Sequence, residues 1–492
     1  MTRLRFAKFS FFILASFFVS LNLCAQKKDF TADQLLNNKM PDVVIPLPSV
    51  VAWKKEDSLI LYERLNHDAV AQRYLFDFKT RKKTPYHQPT KSEGTVNDKS
   101  VFTRDNDLYF KKGNSAEVRL TNDISKEINP TFSPDSNYVA YTKNNNLYAV
   151  NIATQKETQF TFDGNDTLMN GYASWVYTEE ILGRASRYKA FWWSPDSKNI
   201  AFFKTNDSPV PVFTLTNSAG QHGSIEKIRY PKAGDNNPEV KIGIAHLNNT
   251  SIAWADFNEH DDQYFGMPYW KPDGTLLALW INRAQNDLKI YNINISSGAK
   301  SIFYEEQQKT WIDLDDLDRL TFLKNGNILM LSDKTGWRHI YYYNKDGKLL
   351  NPITQGKFTV KEISYVDEKN NTLYFTARGI ENTTRIDFYS IKLNGKNLKR
   401  LSFGAYNHRI QMSPTGKYFI TTYGNAYTPM RMALLDYNGE KIADLGDSKG
   451  PEMDTYNIAK TELIRVKSDD GLFELPALVT WPLNMDSSKK YP

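Results

Sequence analysis

A chain of 492 residues is too long for one ordinary core and calls for one large repetitive domain or several smaller ones. Its 40% hydrophobic and 13% aromatic content excludes a disordered chain. The formal charge of +6 falls to about +3 once three leader cations are set aside, and basic clusters are as short as KTRKKT (Lys79 to Thr84), so the broad positive face of a nucleic-acid binder is absent.

Arg3, Arg5 and Lys8, the apolar run FFILASFFVSLNL and the small residue Ala25 predict a secretory signal peptide over residues 1–25. The run is shorter than the roughly 20 residues of a spanning helix, so no membrane span is expected. The sole cysteine, Cys24, lies in this leader. LNLC also admits a lipoprotein anchor, for which Leu23 is a poor neighbour. Cleavage after Ala25 removes every disulfide, thiol nucleophile and cysteine metal site. The expectation is an exported protein, periplasmic or extracellular.

After a lead-in over 26–48, repetition organises residues 49–450. INPTFSPDSNYVAYTKNNNLYAVNI, KAFWWSPDSKNIAFFKTND, GMPYWKPDGTLLALWINRAQNDLKIYNI and HRIQMSPTGKYFITTYGNAYTPMRMALLDY share one plan. Each has a strand, a Pro-containing turn, an alternating strand, a polar loop and another strand. Weaker copies raise the count to about eight units, at spacings near the 40–50 residues of a propeller blade. The fold class predicted is all-β, an eight-bladed β-propeller. Longer gaps separate Pro134 from Pro195 and Pro195 from Pro272, and insertions in such arrays project from one face, often the binding face.

The first long gap holds GYASWVYTEEILGR, Gly171 to Arg184, with adjacent acids at Glu179 and Glu180. One reading is local: Thr178 caps a short helix through EILGRASRYKA, and the acids sit at its positive end. A compatible reading is a clamp for a primary ammonium, whose three donors suit acceptor-only carboxylates. Neighbouring residues both reach one small ligand only at an irregular or helix-start position. By spacing alone, Glu305 and Glu306 of YEEQQ are an equal candidate.

GDSKG, Gly446 to Gly450, fits G-x-S-x-G around Ser448. It is read as a turn, because Pro451 stands where the nucleophile's helix must start and the last histidine, His408, precedes the serine. NEHDDQ around His260 and WIDLDDLD (Trp311 to Asp318) lack ordered ligand spacing and read as solvated loops. No metal and no cofactor are expected. From Pro451 the texture changes: TELIRVKSDDGLFELPALVTWPL reads as two strands about the turn Asp469 to Gly471, and the chain stops at SSKKYP. Residues 451–492 read as the start of an interrupted domain.

NGYASWVYTEEILGR, FWWSPDSKNIAFFKTNDSPVPVF, IRYPKAGDNNPEVKIGI, GWRHIYYY and DSSKKYP closely resemble the propeller region of the dipeptidyl peptidase IV family of serine exopeptidases. The resemblance runs from about residue 30 to the end of the sequence. It implies that residues 451–492 are the first strands of an incomplete α/β-hydrolase domain. It also implies that Glu179 and Glu180 bind a peptide substrate's free N-terminal amine. The position where the family often has a third acid is Thr178 here. No residue matches the family's catalytic Ser, Asp and His, which are expected beyond Pro492, so this chain is expected to be inactive as a peptidase. The parent is expected to release dipeptides or tripeptides after Pro or Ala, with a homodimer as a further expectation for the full-length form. The rival expectation is a non-catalytic secreted propeller that binds without cutting, or an inactive homologue.

Overall fold

The computed structural model describes residues 27–37, 40–54, 57–63, 70–86, 99–313, 319–486 and 488–490. The leader with Cys24, most of WIDLDDLD and the terminal Tyr491 and Pro492 lie outside these residues. Eight antiparallel sheets follow one another along the chain, over residues 49–85, 99–119, 127–159, 168–254, 263–307, 320–352, 359–400 and 407–447. Within each, successive strands pair with their neighbours, apart from one inserted hairpin in sheet 4 and the first strands of sheets 4 and 5, each split into two segments that pair with the same second strand.

The repeated turns show why the repeats fold alike. In sheets 3 and 4, Ser133 and Ser194 each donate to the Asp two residues on at 2.6 Å and accept the N–H that opens the next strand, at 3.0 and 2.9 Å. Ser413 accepts the corresponding N–H of Tyr418 at 3.1 Å. The fourth residue of these turns is left-handed, as Ser136 (φ 56°), Ser197 (φ 62°) and Gly416 (φ 70°). Only glycine adopts that conformation freely, so the serines there are held by the turn's own hydrogen bonds.

Apolar faces join the sheets in sequence from sheet 2 onward. One core unites sheets 4, 5 and 6, with Phe203, Phe265 and Met330 among its members. Others join sheets 2 with 3, 3 with 4, 6 with 7, and 7 with 8. A further core packs Leu59, Leu61 and Phe76 of sheet 1 against Ile420, Leu434 and Leu445 of sheet 8, which closes the ring. The arrangement is an eight-bladed propeller, with its sheets repeated radially about a central channel.

The lead-in fastens this closure. The N–H of Ile45 donates to the Ser448 carbonyl at 2.9 Å, and the N–H of Gly450 to that of Val43 at 3.0 Å. Phe30 stacks on buried Tyr456 with ring centroids 4.8 Å apart. Beyond it, Thr461–Lys467 and Glu474–Thr480 form a separate hairpin about Gly471 (φ 70°). Its Leu472, Phe473, Leu475 and Leu478 are exposed.

Candidate functional site

Sheet 4 has a divided first strand. Leu168–Asn170 and Phe191–Trp193 both pair with Asn199–Asn206, at Asn170↔Lys204 and Phe191↔Phe202. Residues 171–190 therefore leave the first strand of the sheet and return to the same place on it. The N–H of Gly171 donates to Phe203 O at 2.8 Å and that of Ala190 to Gly171 O at 3.0 Å, which pinches the neck. Gly171 needs its left-handed φ of 73° for that exit.

The excursion carries the acid pair on a single π-turn, Tyr177–Ile181, closed by the Leu182 N–H donating to Tyr177 O at 2.7 Å. Such turns are rare and occur often at functional sites. The helix expected through EILGRASRYKA does not form, and no side chain caps the turn. Gly183 (φ 76°) before one 3-10 turn, Arg184–Ser186, and Arg187 (φ 50°) and Tyr188 (φ 66°) after it turn the chain back. Thr178 sits inside the turn, not at its start. Its buried Oγ1 lies 2.8 Å from Ser186 Oγ and accepts the Tyr188 N–H at 3.0 Å. Thr178 therefore staples the excursion shut.

Tyr177 is buried, and burial raises its phenol well above the ordinary value. Trp175 packs against Tyr230, with ring centroids 4.3 Å apart, so the W-V-Y and R-Y-P-K blocks meet in space. The two acids have different surroundings. Glu179 is half-buried and paired with the guanidinium of Arg184. Glu180 is exposed and lines a cavity of about 260 Å³ with Val176, Ile181, Tyr264, Gln285, Trp311 and Asp313.

Sequence reading missed the far wall of that cavity. Trp311 to Asp313 open WIDLDDLD, which was expected to be a solvated loop, yet Ile312 is fully buried and its N–H donates to Gln285 O at 2.6 Å. No motif marks this docking, because it depends on a contact between two loops of sheet 5.

The other candidates separate. Glu305 and Glu306 lie on the strand Lys300–Gln307, past its bulge at Phe303, and so face opposite ways. Glu305 is exposed, while Glu306 is buried and accepts from Ser332 Oγ at 2.6 Å and Gln308 Nε2 at 2.5 Å. They do not form a pair for one ligand. Ser448 is not on a free turn. It ends the last strand of sheet 8 against the lead-in, where a Cβ on Gly446 would lie 2.5 Å from Pro48 and one on Gly450 1.9 Å from Asp42 O. These glycines serve the close pass of two chain segments. His408 is buried between Thr421 Oγ1 (2.9 Å) and Phe403 O (2.9 Å), and exposed His260 pairs with Glu239 at 2.7 Å.

Asp123, Glu127 and Glu157, which no motif singled out, bring carboxylate oxygens within 4.8 Å of one another. The Lys143 ammonium lies 2.5 Å from Asp123, 3.0 Å from Glu157 and 3.9 Å from Glu127. The chain supplies its own cation there.

With this geometry in view, a family model described as the dipeptidyl peptidase IV (DPP IV) N-terminal region matches residues 123–430. The chain belongs to the dipeptidyl peptidase IV family. The match spans the acid pair and most of the propeller. Dipeptidyl peptidase 4 of Arthroderma otae is 29% identical over 382 residues, which covers 73% of this chain and 48% of that protein. The Trichophyton rubrum dipeptidyl peptidase 4 gives the same identity and coverage over 383 residues. The chain thus spans about half the length of these curated relatives. In structure, Porphyromonas gingivalis dipeptidyl peptidase 4 superposes with a TM-score of 0.76 over 95% of this chain and 69% of its own, at 21% identity. A putative dipeptidyl aminopeptidase IV from Bacteroides ovatus gives 0.69 over 92% and 68%, also at 21% identity. The fold is that of this family's propeller.

Proposed function

We propose that the chain is the substrate-gating propeller of an exported serine exopeptidase, and that Glu179 and Glu180 anchor the free N-terminal amine of a peptide. The observation behind this reading is the excursion itself. It interrupts the first strand of sheet 4 to present two acids on a π-turn, braced from within by Thr178 and Tyr177. An ammonium offers three donors, and hydrogen bonds to charged groups contribute roughly 1.5–3 kcal/mol each. Anchoring the amine works as a ruler, since its distance to the nucleophile sets whether two or three residues are released. The nucleophile, base and orienting acid belong, in this reading, to a hydrolase domain whose first strands are the hairpin at 461–480. The exposed apolar residues of that hairpin are the surface such a domain would cover.

The test compares Ala-Pro with N-acetyl-Ala-Pro as ligands of the chain, by calorimetry. Tight binding of the free amine alone is expected, weakened roughly tenfold to a hundredfold by Glu179→Gln or Glu180→Gln. A parallel assay with an X-Pro p-nitroanilide is expected to show no turnover by the 492-residue chain and turnover by a form extended through a hydrolase domain. Equal affinity for the acetylated peptide would remove the anchor. Amine-dependent binding with no turnover by the extended form would favour a binding module.

A further inference from the structure

We propose that the propeller carries a second binding site, for a neutral oligosaccharide, in a groove across sheets 6, 7 and 8. The groove lies at the end of the ring away from the acid pair, so the site is independent of the amine anchor. In an antiparallel meander the turns after the first and third strands share one end, and the turn after the second lies at the other. The hairpin at 461–480 touches turns of the latter kind in sheets 7 and 8. Arg465 Nη2 donates to Thr383 Oγ1 at 3.2 Å, and the Leu463 N–H to Tyr427 Oη at 2.9 Å. Gln285, which shares the Glu180 cavity, occupies the same kind of turn in sheet 5. The groove is built on the opposite turns, 368–371 and 393–398 of sheet 7.

Two adjoining cavities of about 540 and 180 Å³ form the groove, with Lys392 and Asn397 in both linings. The larger falls within the roughly 300–1,000 Å³ of small-molecule sites. Amides crowd the linings. Asn351 of sheet 6 meets Asn371 and Asn397 of sheet 7 in the larger cavity, and Asn438 of sheet 8 joins in the smaller. The side chains of Asn371, Asn397 and Asn438 have no hydrogen-bond partner among the described residues. Asn351 Nδ2 is spent on the Pro352 and Leu393 carbonyls, both at 3.0 Å, which leaves its Oδ1 to accept. A free amide both donates and accepts, as each hydroxyl of a sugar does. Left-handed backbone explains asparagine at 371 (φ 49°) and 397 (φ 61°). It does not explain why they converge with Asn351 and Asn438.

Each cavity also offers an aromatic ring. Tyr342 lines the larger and accepts from Asn327 Nδ2 at 2.8 Å, which leaves its own hydroxyl proton to give. Tyr437 lines the smaller and is 48% exposed. The face of an aromatic ring is negative and one face of a pyranose is a set of C–H bonds, so the two stack. Charge points to a neutral ligand. Among the described residues no carboxylate lines either cavity, and both lysines are already engaged. Lys392 Nζ donates to Asn370 O and Thr372 Oγ1, each at 2.8 Å, and Lys399 Nζ to Asn438 O at 3.0 Å.

The experiment titrates the chain by calorimetry with cellohexaose, maltohexaose, chitohexaose and a hexaglutamate peptide, at low and moderate salt. At least one sugar is expected to bind with a dissociation constant of about 0.1–1 mM that salt leaves unchanged. Asn371→Gly and Asn397→Gly keep the left-handed backbone and remove the amides. Each is expected to weaken binding roughly threefold to tenfold with a nearly unaltered unfolding midpoint. Tyr437→Ala is expected to weaken it about tenfold. Glu179→Gln is expected to leave sugar binding as it is, so failure of the amine anchor does not touch this site. Sugar binding that none of the three groove variants weakens would overturn the assignment, because the sugar would then sit elsewhere. So would the absence of binding by all three sugars. Binding of hexaglutamate alone would overturn it too, and would mark the groove as a seat for acidic peptides.

Discussion

The backbone N–H of Phe265, on the first strand of sheet 5, donates to the buried Oη of Tyr177 at 3.2 Å. One hydrogen bond therefore ties the π-turn of blade 4 to the first strand of blade 5. Tyr177 precedes the acid pair by two residues, so the bond fixes where that pair is presented. Tyr177→Phe leaves a buried N–H without its acceptor and is expected to cost about 1–3 kcal/mol. Urea unfolding would show the loss. Amine affinity would fall with it, because the turn would lose its reference to the next blade.

Arg184 is the cation already held by Glu179, and its side chain is largely exposed. Exposed pairs add little to stability. Arg184→Ala is therefore expected to leave the thermal midpoint nearly unchanged. It is expected to tighten amine binding at low salt, since the incoming ammonium no longer competes with a guanidinium. Dissociation constants at two ionic strengths would check this, and weaker binding would show that Arg184 orients Glu179 for the ligand.

Glu305 and Glu306 offer an internal control for the anchor. Glu305→Gln is expected to leave amine binding unaltered. Glu306→Ala breaks a buried network with Tyr304, Ser332 and Gln308, so it lowers the unfolding midpoint instead.

Ring closure depends on Gly446 and Gly450. Alanine at Gly450 would place a methyl 1.9 Å from the Asp42 carbonyl, where backbone must shift. A destabilisation of about 1–3 kcal/mol or more is expected, and chemical denaturation would report it. Ser448→Ala removes the hydroxyl of the apparent nucleophile motif. In an extended form that shows peptidase activity it is expected to leave the rate unchanged, as measured with the same p-nitroanilide.

Two buried carboxyls give the fold a pH dependence. Burial pushes Glu127 up to about 7 against the opposing hydrogen bond from Thr121, and pushes Asp207 up to about 7 against Arg229. A carboxyl with a raised pKa in the folded chain keeps its proton where the unfolded chain has lost it. The stability it contributes is complete below the unfolded value and is lost as pH rises through about 7. Glu127→Gln and Asp207→Asn are therefore each expected to remove part of that loss between pH 5 and 8, read as the difference from the parent chain, because burial lowers His339 and His408 and so gives an opposite slope in the same window. A variant whose midpoint follows the parent's across this window would contradict the assignment.

The sequence by itself determined the fold class and the location of the excursion. Both are written in local chemistry: Ser-Pro-Asp turns whose side chains bond their own backbone, alternating strands, and a gap between Pro134 and Pro195 too long for a blade. The acid pair was visible for the same reason, as two adjacent carboxylates inside that gap.

What only the tertiary structure decided involves residues far apart in the chain. Thr178 reads as a helix cap because a hydroxyl before two acids favours one. The excursion must instead return to its own strand, and that return turns the hydroxyl inward to Ser186 and Tyr188. The choice between the two Glu-Glu pairs rested on backbone form, because a strand sends Glu305 and Glu306 apart whereas Glu179 and Glu180 share a π-turn. Trp311 and Asp313 joined Glu180 through a contact across more than a hundred residues of sequence. Periodicity and turn signals act over a few residues, so they set the blades. The cavity exists because packing the blades into a ring brings distant loops to one wall.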